Sequence, residues 1–159
     1  MSEPINPAER PSRIHVLGQI AVTVLLGGSF LSGLLVWWGQ AVQLRELQSP
    51  DWLRPALVLH GTLNPFLCGL FGALAVHHIR IGWAMRANLI SGLAMEAVFA
   101  GLILSGIGLY YIGDADWRGR LVWTHRVLGL SLPVTLAAHW LAGLWWGRKI
   151  SQPTIGADD

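Results

Sequence analysis

The sequence predicts an all-α integral membrane protein, a bundle of four transmembrane helices built from two repeated helical hairpins. Of the 159 residues, 53% are hydrophobic and only 13% are charged, so the chain is far more apolar than a soluble domain of this length. Four apolar stretches are each long enough to cross about 30 Å of hydrocarbon at about 1.5 Å per residue. The second half of the chain also repeats features of the first half.

The four predicted spans end at residues that suit the membrane interface. They run from Val16 to Gly39, from Ala56 to Val76, from Leu89 to Ile112, and from Leu121 to Gly147. The boundary of the second span extends to His78. Tryptophans, whose rings favour the headgroup level, lie at or beside these ends: Trp37, Trp38, Trp52, Trp83, Trp117, Trp145 and Trp146. The first span is too long for a signal-peptide core, so we expect it to remain in the mature protein.

Charged residues and the one cysteine limit the possible functions. Lys and Arg near the span ends are more numerous on the terminal side, which predicts cytoplasmic termini. The terminal side has Arg10, Arg13, Arg80, Arg86, Arg148 and Lys149, and the other side has Arg45, Arg54, Arg118 and Arg120. A net charge of +2 spread over the loops does not suggest nucleic-acid binding. Cys68 alone provides neither a disulfide nor a C-x-x-C-H motif for covalent haem attachment.

An internal repeat relates the two hairpins. An offset of 73 matches the third span to the first, and an offset of 65 matches the fourth span to the second. The matched residues are Gly28 with Gly101, Ser32 with Ser105, Gly33 with Gly106, Asp51-Trp52 with Asp116-Trp117, and His60 with His125. We attribute the Gly and Ser residues to close helix packing, since small residues let backbones approach in lipid.

Histidines recur in the even-numbered spans, where an imidazole is costly without a partner. Because the spans alternate in direction, His60 and His125 are predicted to lie at the same outer depth. His77 and His139 are predicted to lie toward the cytoplasmic side. Fourteen residues separate His125 from His139, which is four turns of a supercoiled helix and about 21 Å of rise. The sequence therefore predicts two stacked bis-histidine sites.

The histidine that completes the inner site has three candidates. His77 is preferred because Ala75-Val76-His77 resembles Ala137-Ala138-His139. His78 is an alternative, since the eighteen residues from His60 make five turns at about 3.6 residues per turn. His15 is a third candidate, because it begins the first span at the same inner depth.

Two imidazoles on facing helices are suited to the axial ligation of a haem iron. Zinc or copper takes three or four protein ligands, and no acid or cysteine is placed to complete either histidine pair. The remaining interpretation is interhelical hydrogen bonding without a cofactor, worth about 1 kcal/mol per contact. So small a stabilisation does not account for four histidines within the membrane, so we favour haem.

Three sequence motifs carry a resemblance to a known family. They are Trp-Thr-His-Arg-Val-Leu-Gly-Leu at 123–130, Ala-Ala-His-Trp at 137–140 and Val-Leu-His-Gly at 58–61. They resemble the membrane cytochrome b proteins, including four-helix bacterial cytochromes b and the haem-bearing subunits of hydrogenases and formate dehydrogenases. The resemblance covers nearly all of the chain, and residues 1–159 are expected to form a single haem-binding domain.

The resemblance implies two non-covalent haems b that carry electrons across a bacterial inner membrane. The electrons would pass between a quinone pool and a redox partner subunit or cytochrome. The seventeen residues from His60 to His77 depart from the shorter spacing found on both ligand helices of bc-complex cytochrome b. This departure concerns the inner haem, because His77 is a candidate ligand of that haem and not of the outer one.

Arginines and one acid are further candidate site residues. Arg118 and Arg126, with Arg54 and Arg120, gather at the outer ends of the ligand helices, where guanidinium groups neutralise haem propionates. They also suit the membrane interface without any cofactor. Glu96 is the only acid within a span, and it is a candidate for proton transfer at a quinone or for balancing a buried charge.

Two other functions are compatible with the same residues. One is a stand-alone oxidoreductase that reacts with quinone or superoxide at a haem edge. The other is a membrane protein that handles a metal ion without haem, for which the purified protein would show no Soret absorption. We favour an electron-transfer subunit, because the loops are too short to form a catalytic domain.

Overall fold

The structure, a computed structural model, describes residues 16–84, 86 and 88–150, except for the side chains of His77 and of residues 146–150. Its regular elements are all helices. They are α1 (Val16–Glu46), α2 (Leu53–Leu74), a π-helical turn (Ala75–Ile79), α3 (Arg80–Ala84), α4 (Leu89–Tyr111) and α5 (Ala115–Ile150). Four of them, α1, α2, α4 and the Ala115–Trp145 part of α5, are long and apolar enough to cross a membrane. The predicted all-α membrane fold class is confirmed.

The described chain forms two compact units, divided between His78 and Ile79. In the first unit α1 packs against α2, and in the second α4 packs against α5. The two helices of each hairpin run in opposite directions, and few of the described apolar side chains are buried, among them Leu26, Leu67 and Phe99. Most large apolar side chains face outward, as contact with lipid requires. That the whole chain is one haem-binding domain stays a prediction.

The turn at the tip of the first hairpin has a glycine at a close helix contact, and the turn of the second hairpin is held by hydrogen bonds. In the first hairpin, a Cβ on Gly39 would lie 2.7 Å from Leu53 Cδ1 and 2.9 Å from Trp52 Cζ3, so a larger residue would require these two side chains to shift. In the second, Asp114 Oδ1 accepts a hydrogen bond of 2.9 Å from the backbone N–H of Trp117, as an N-cap does. Arg118 Nη1 donates to the carbonyl of Leu109 at 2.6 Å and joins the ends of α4 and α5.

The helices extend beyond the predicted spans. α1 continues to Glu46 rather than ending at Gly39, α2 begins at Leu53, and α5 begins at Ala115 rather than Leu121. The predicted limits mark where apolar sequence stops, but a helix continues into water as long as its backbone bonds are made. At about 1.5 Å per residue, the 36 residues of α5 are about 54 Å long, well beyond the hydrocarbon thickness.

The sequence repeat is also a repeat of packing. A Cβ on Gly28 would lie 3.6 Å from Leu63 Cδ1, and one on Gly101 would lie 2.8 Å from Leu128 Cδ1. Leu63 and Leu128 are 65 residues apart, the offset that relates the second and fourth spans. An added Cβ would be in ordinary contact at Gly28 and too close at Gly101, so the structure supports a packing role for Gly101, and that of Gly28 stays a prediction.

Candidate functional site

His125, on α5, is held by a buried serine of α4. Its Nδ1 lies 2.9 Å from the Oγ of Ser105, which is only 4% exposed. The same hydroxyl donates to the carbonyl of Gly101 at 2.6 Å, with Leu102 O at 3.2 Å. A hydroxyl has one hydrogen, and Ser105 donates it to the backbone carbonyls. In the contact with the His125 ring, Ser105 Oγ is therefore the acceptor. The hydrogen-bond network thus assigns the ring proton of His125 to Nδ1.

His60, on α2, has the same arrangement with α1. Its Nδ1 lies 3.0 Å from Ser32 Oγ, and Ser32, which is 2% exposed, donates to the carbonyl of Ser29 at 3.0 Å. The Ser29 carbonyl also lies 3.1 Å from His60 Nδ1. Because a carbonyl can only accept, Nδ1 must carry the proton. Ser32 and His60 are the repeat counterparts of Ser105 and His125.

His139, further along α5, forms a third such contact. Its Nδ1 lies 3.1 Å from Ser91 Oγ, and Ser91 donates to the carbonyl of Asn88 at 3.1 Å. Fourteen residues separate Ser91 from Ser105 on α4, and fourteen separate His125 from His139 on α5. Because the two helices are antiparallel and keep the same register, Ser105 lies opposite His125 and Ser91 lies opposite His139, on one face of each helix.

We call each of these contacts a serine–histidine pair: an imidazole Nδ1–H donating to a serine of the facing helix, whose hydroxyl donates to a backbone carbonyl. With the proton on Nδ1, the lone pair of a neutral imidazole is on Nε2, the nitrogen that binds a metal. Metal-ligating histidines characteristically donate their other ring N–H to such an acceptor. The donor set therefore fits the axial ligands of a haem iron.

A glycine lies directly against the His60 ring. A Cβ on Gly33 would be 3.1 Å from Cε1, 3.6 Å from Nδ1 and 3.8 Å from Nε2 of His60. Any side chain at this position would crowd the edge that bears both nitrogens. A glycine at position 33 thus lets the imidazole lie where it does without a shift of the ring.

The inner partner of His139 stays a prediction among three candidates. His15 lies outside the described residues, and the side chain of His77 is not described. Both His77 and His78 belong to the π-helical turn, in which the backbone bonds connect residues five apart. Neither the seventeen-residue nor the eighteen-residue spacing from His60 can therefore be converted into a face of an α-helix.

The inner serine–histidine pair has no repeat counterpart in the first hairpin. At the offsets that relate the two outer pairs, Ser91 corresponds to Gly18 and His139 corresponds to Leu74. The repeat therefore covers the outer part of each hairpin in full. The match of His77 to His139 needs an offset of 62 instead of 65, a difference of three residues.

The candidate arginines contact aromatic rings and backbone. The guanidinium carbon of Arg126 lies 5.5 Å from the centre of the Trp123 ring, and that of Arg120 lies 5.1 Å from the Trp117 ring. Such cation–π contacts are common where tryptophan lies at an interface. Together with the bond from Arg118 to Leu109, they give these side chains a structural role. A role toward propionates stays a prediction.

Glu96 lies on α4, two turns after the helix begins, and is half-buried. Its Oε1 accepts a hydrogen bond of 3.0 Å from Nε1 of Trp83 on α3. The only acid of the predicted spans thus accepts a hydrogen bond from an indole N–H.

Three serines that contact the candidate histidines were not predicted as site residues from the sequence. Ser32 and Ser105 stood out as repeat identities but were attributed to packing, and Ser91 was not singled out. The signal for Ser91 was its fourteen-residue distance from Ser105, which equals the distance between His125 and His139.

Among the residues that the structure describes, no three His, Cys, Asp or Glu side chains come together as a metal cluster. A haem iron takes two histidines, so a pair suffices. Comparison of the chain with models of protein families, with curated proteins and with solved structures gives no match. We therefore infer function from the side chains and their geometry.

Proposed function

We propose that this multi-pass membrane protein is a b-type cytochrome of a bacterial inner membrane, with both termini cytoplasmic. It binds two haems b and carries electrons across the membrane between a quinone pool and a redox partner. One observation carries the proposal: three intramembrane histidines each have Nδ1 engaged by a serine of the facing helix. A hydrogen bond from Nδ1–H to such an acceptor orients an imidazole for metal binding through Nε2.

The proposed ligands are paired on the sequence argument of depth and repeat. His60 and His125 ligate the outer haem. His139 ligates the inner haem together with His77, for which His78 and His15 are the alternatives. Each iron, when bound, supplies one-electron redox chemistry.

The side chains of this protein have three tasks in such a function. Apolar residues of the spans exclude water, which stabilises a low-dielectric environment around the ligands. Ser32, Ser91 and Ser105 hold the Nδ1 protons. Arg118 lies on the first turn of α5 and Arg126 lies about two turns further along, and guanidinium groups are suited to binding carboxylates.

The haem content is the first test. Protein purified in mild detergent is expected to contain about two haems b per chain, one for each histidine pair. A pyridine haemochrome assay against a measured protein concentration gives this ratio. Protein made with adequate haem supply but without Soret absorption would refute the proposal and favour the metal-handling alternative.

Glu96 is expected to exchange protons at the quinone. Glu96→Gln should leave haem content unchanged and slow quinol-driven haem reduction by about 100-fold, the lower end of the effect of a lost acid–base group. The measurement is stopped-flow reduction between pH 6 and pH 8 with a short-chain quinol. Glu46→Gln, at the end of α1, is the control and should not change the rate. Equal rates for Glu96→Gln across this pH range would assign Glu96 to structure.

A further inference from the structure

We propose that Ser32, Ser91 and Ser105 are positioning residues that fix the tautomer of the histidines and lower the midpoint potential of the haems they ligate. The effect on potential rests on the proposed function, whereas the effect on the tautomer rests on the serine–histidine pairs alone. None of the three serines would touch the iron. Each would act through the Nδ1–H of its histidine.

The geometry makes each pair a short chain of hydrogen bonds with a fixed direction. In the Ser105 pair, His125 Nδ1–H donates to Ser105 Oγ, and Ser105 donates to Gly101 O at 2.6 Å. Donating to the carbonyl polarises the hydroxyl, which makes its oxygen a better acceptor. Because Ser105 is 4% exposed, water does not compete for the ring proton.

A stronger acceptor at Nδ1–H raises the electron density of the imidazole and its basicity as a ligand. A more basic ligand favours ferric over ferrous iron, so the midpoint potential falls. Removing the hydroxyl should reverse this effect. We expect about a tenfold change in the equilibrium constant for reduction, which is about 59 mV for a one-electron couple.

The three serines should not act on the same haem. Ser32 and Ser105 contact the two ligands proposed for the outer haem, so Ser32→Ala and Ser105→Ala should raise the potential of one and the same haem. The double variant should raise it further. Ser91 contacts His139, so Ser91→Ala should raise the potential of the other haem and leave the first unchanged.

Ser131 provides a matched control. It lies on α5 and donates to the carbonyl of Leu128 at 2.8 Å, a serine-to-carbonyl bond like that of the three proposed residues. It has no hydrogen bond to a histidine in the described contacts. Ser131→Ala should therefore leave both potentials unchanged, and it measures what the loss of a helix-internal hydroxyl does by itself.

The experiment is a redox titration of the holoprotein and its Ser32→Ala, Ser91→Ala, Ser105→Ala and Ser131→Ala variants, followed by optical spectra. In parallel, ¹⁵N NMR of labelled histidine rings reports which nitrogen is protonated in haem-free protein. We expect the outer potential to rise in Ser105→Ala and the Nδ1–H form of His125 to lose population. Potentials and ring signals equal to those of Ser131→Ala would overturn the inference.

The two proposals fail in different ways. If haem is bound but neither the potentials nor the ring signals respond to loss of the serines, the serine inference is wrong and the cytochrome remains. If the protein takes up no haem, the cytochrome proposal is wrong, and with it the effect on potential. A tautomer change of His125 in Ser105→Ala would then support the serine–histidine pair alone.

Discussion

Replacing His125 with leucine is expected to remove the outer haem and leave the inner one, lowering the content from about two haems per chain to about one. Leucine has nearly the volume of histidine but no nitrogen ligand. His125 and His139 are fourteen residues apart on α5, about 21 Å along the helix. Each also has its own serine on α4, so loss of one site does not remove a residue of the other.

The matching variants make the pairing testable. His60→Leu should give the same product as His125→Leu, with the same remaining haem in low-temperature spectra. His139→Leu should instead remove the inner haem. Loss of both haems in each variant would show that the sites are coupled through folding. Retention of both haems in either His60→Leu or His125→Leu would show that these histidines are not a pair.

The membrane fold was predictable because its signal is local. Four long apolar stretches were identified, and each contains most of a long helix of the structure. Helix ends were less predictable, since polar residues after Gly39 and before Leu121 continue the helices beyond the apolar limit. The π-helical turn at Ala75–Ile79 had no clear signal, because the proline that could disturb this helix, Pro65 inside α2, lies ten residues earlier.

The histidines of the site could be predicted, but the serines that hold them could not be distinguished from packing residues. A small side chain at Ser105 suits a close helix contact whether or not its hydroxyl has an acceptor and a donor. The difference depends on the antiparallel register, which sets Ser105 opposite His125 and Ser91 opposite His139. Glu96 shows the same limit, because its partner Trp83 lies on a short helix between two predicted spans, for which no structure was predicted from the sequence.

Gly33 offers the second large effect, because it lies against the His60 ring. Gly33→Val is expected to weaken binding of the outer haem by about 10–100-fold, the range seen when the shell that orients a metal ligand is disturbed. A Cβ would already be 3.1 Å from Cε1 and 3.8 Å from Nε2 of His60. A shift of the ring away from the larger side chain would disturb its contacts to Ser32 and Ser29 at 3.0 and 3.1 Å.

A pair of alanine variants separates this effect from general helix packing. Gly33→Ala should weaken the outer haem less than Gly33→Val does. Gly28→Ala should change nothing, because its Cβ would meet only the flexible end of Leu63 at 3.6 Å. Haem-to-protein ratios after dilution and low-temperature spectra measure the loss, and circular dichroism checks that helix content is unchanged. A Gly33→Val protein with a full outer haem and unchanged spectrum would mean that the His60 imidazole does not bind iron in the orientation that Ser32 imposes.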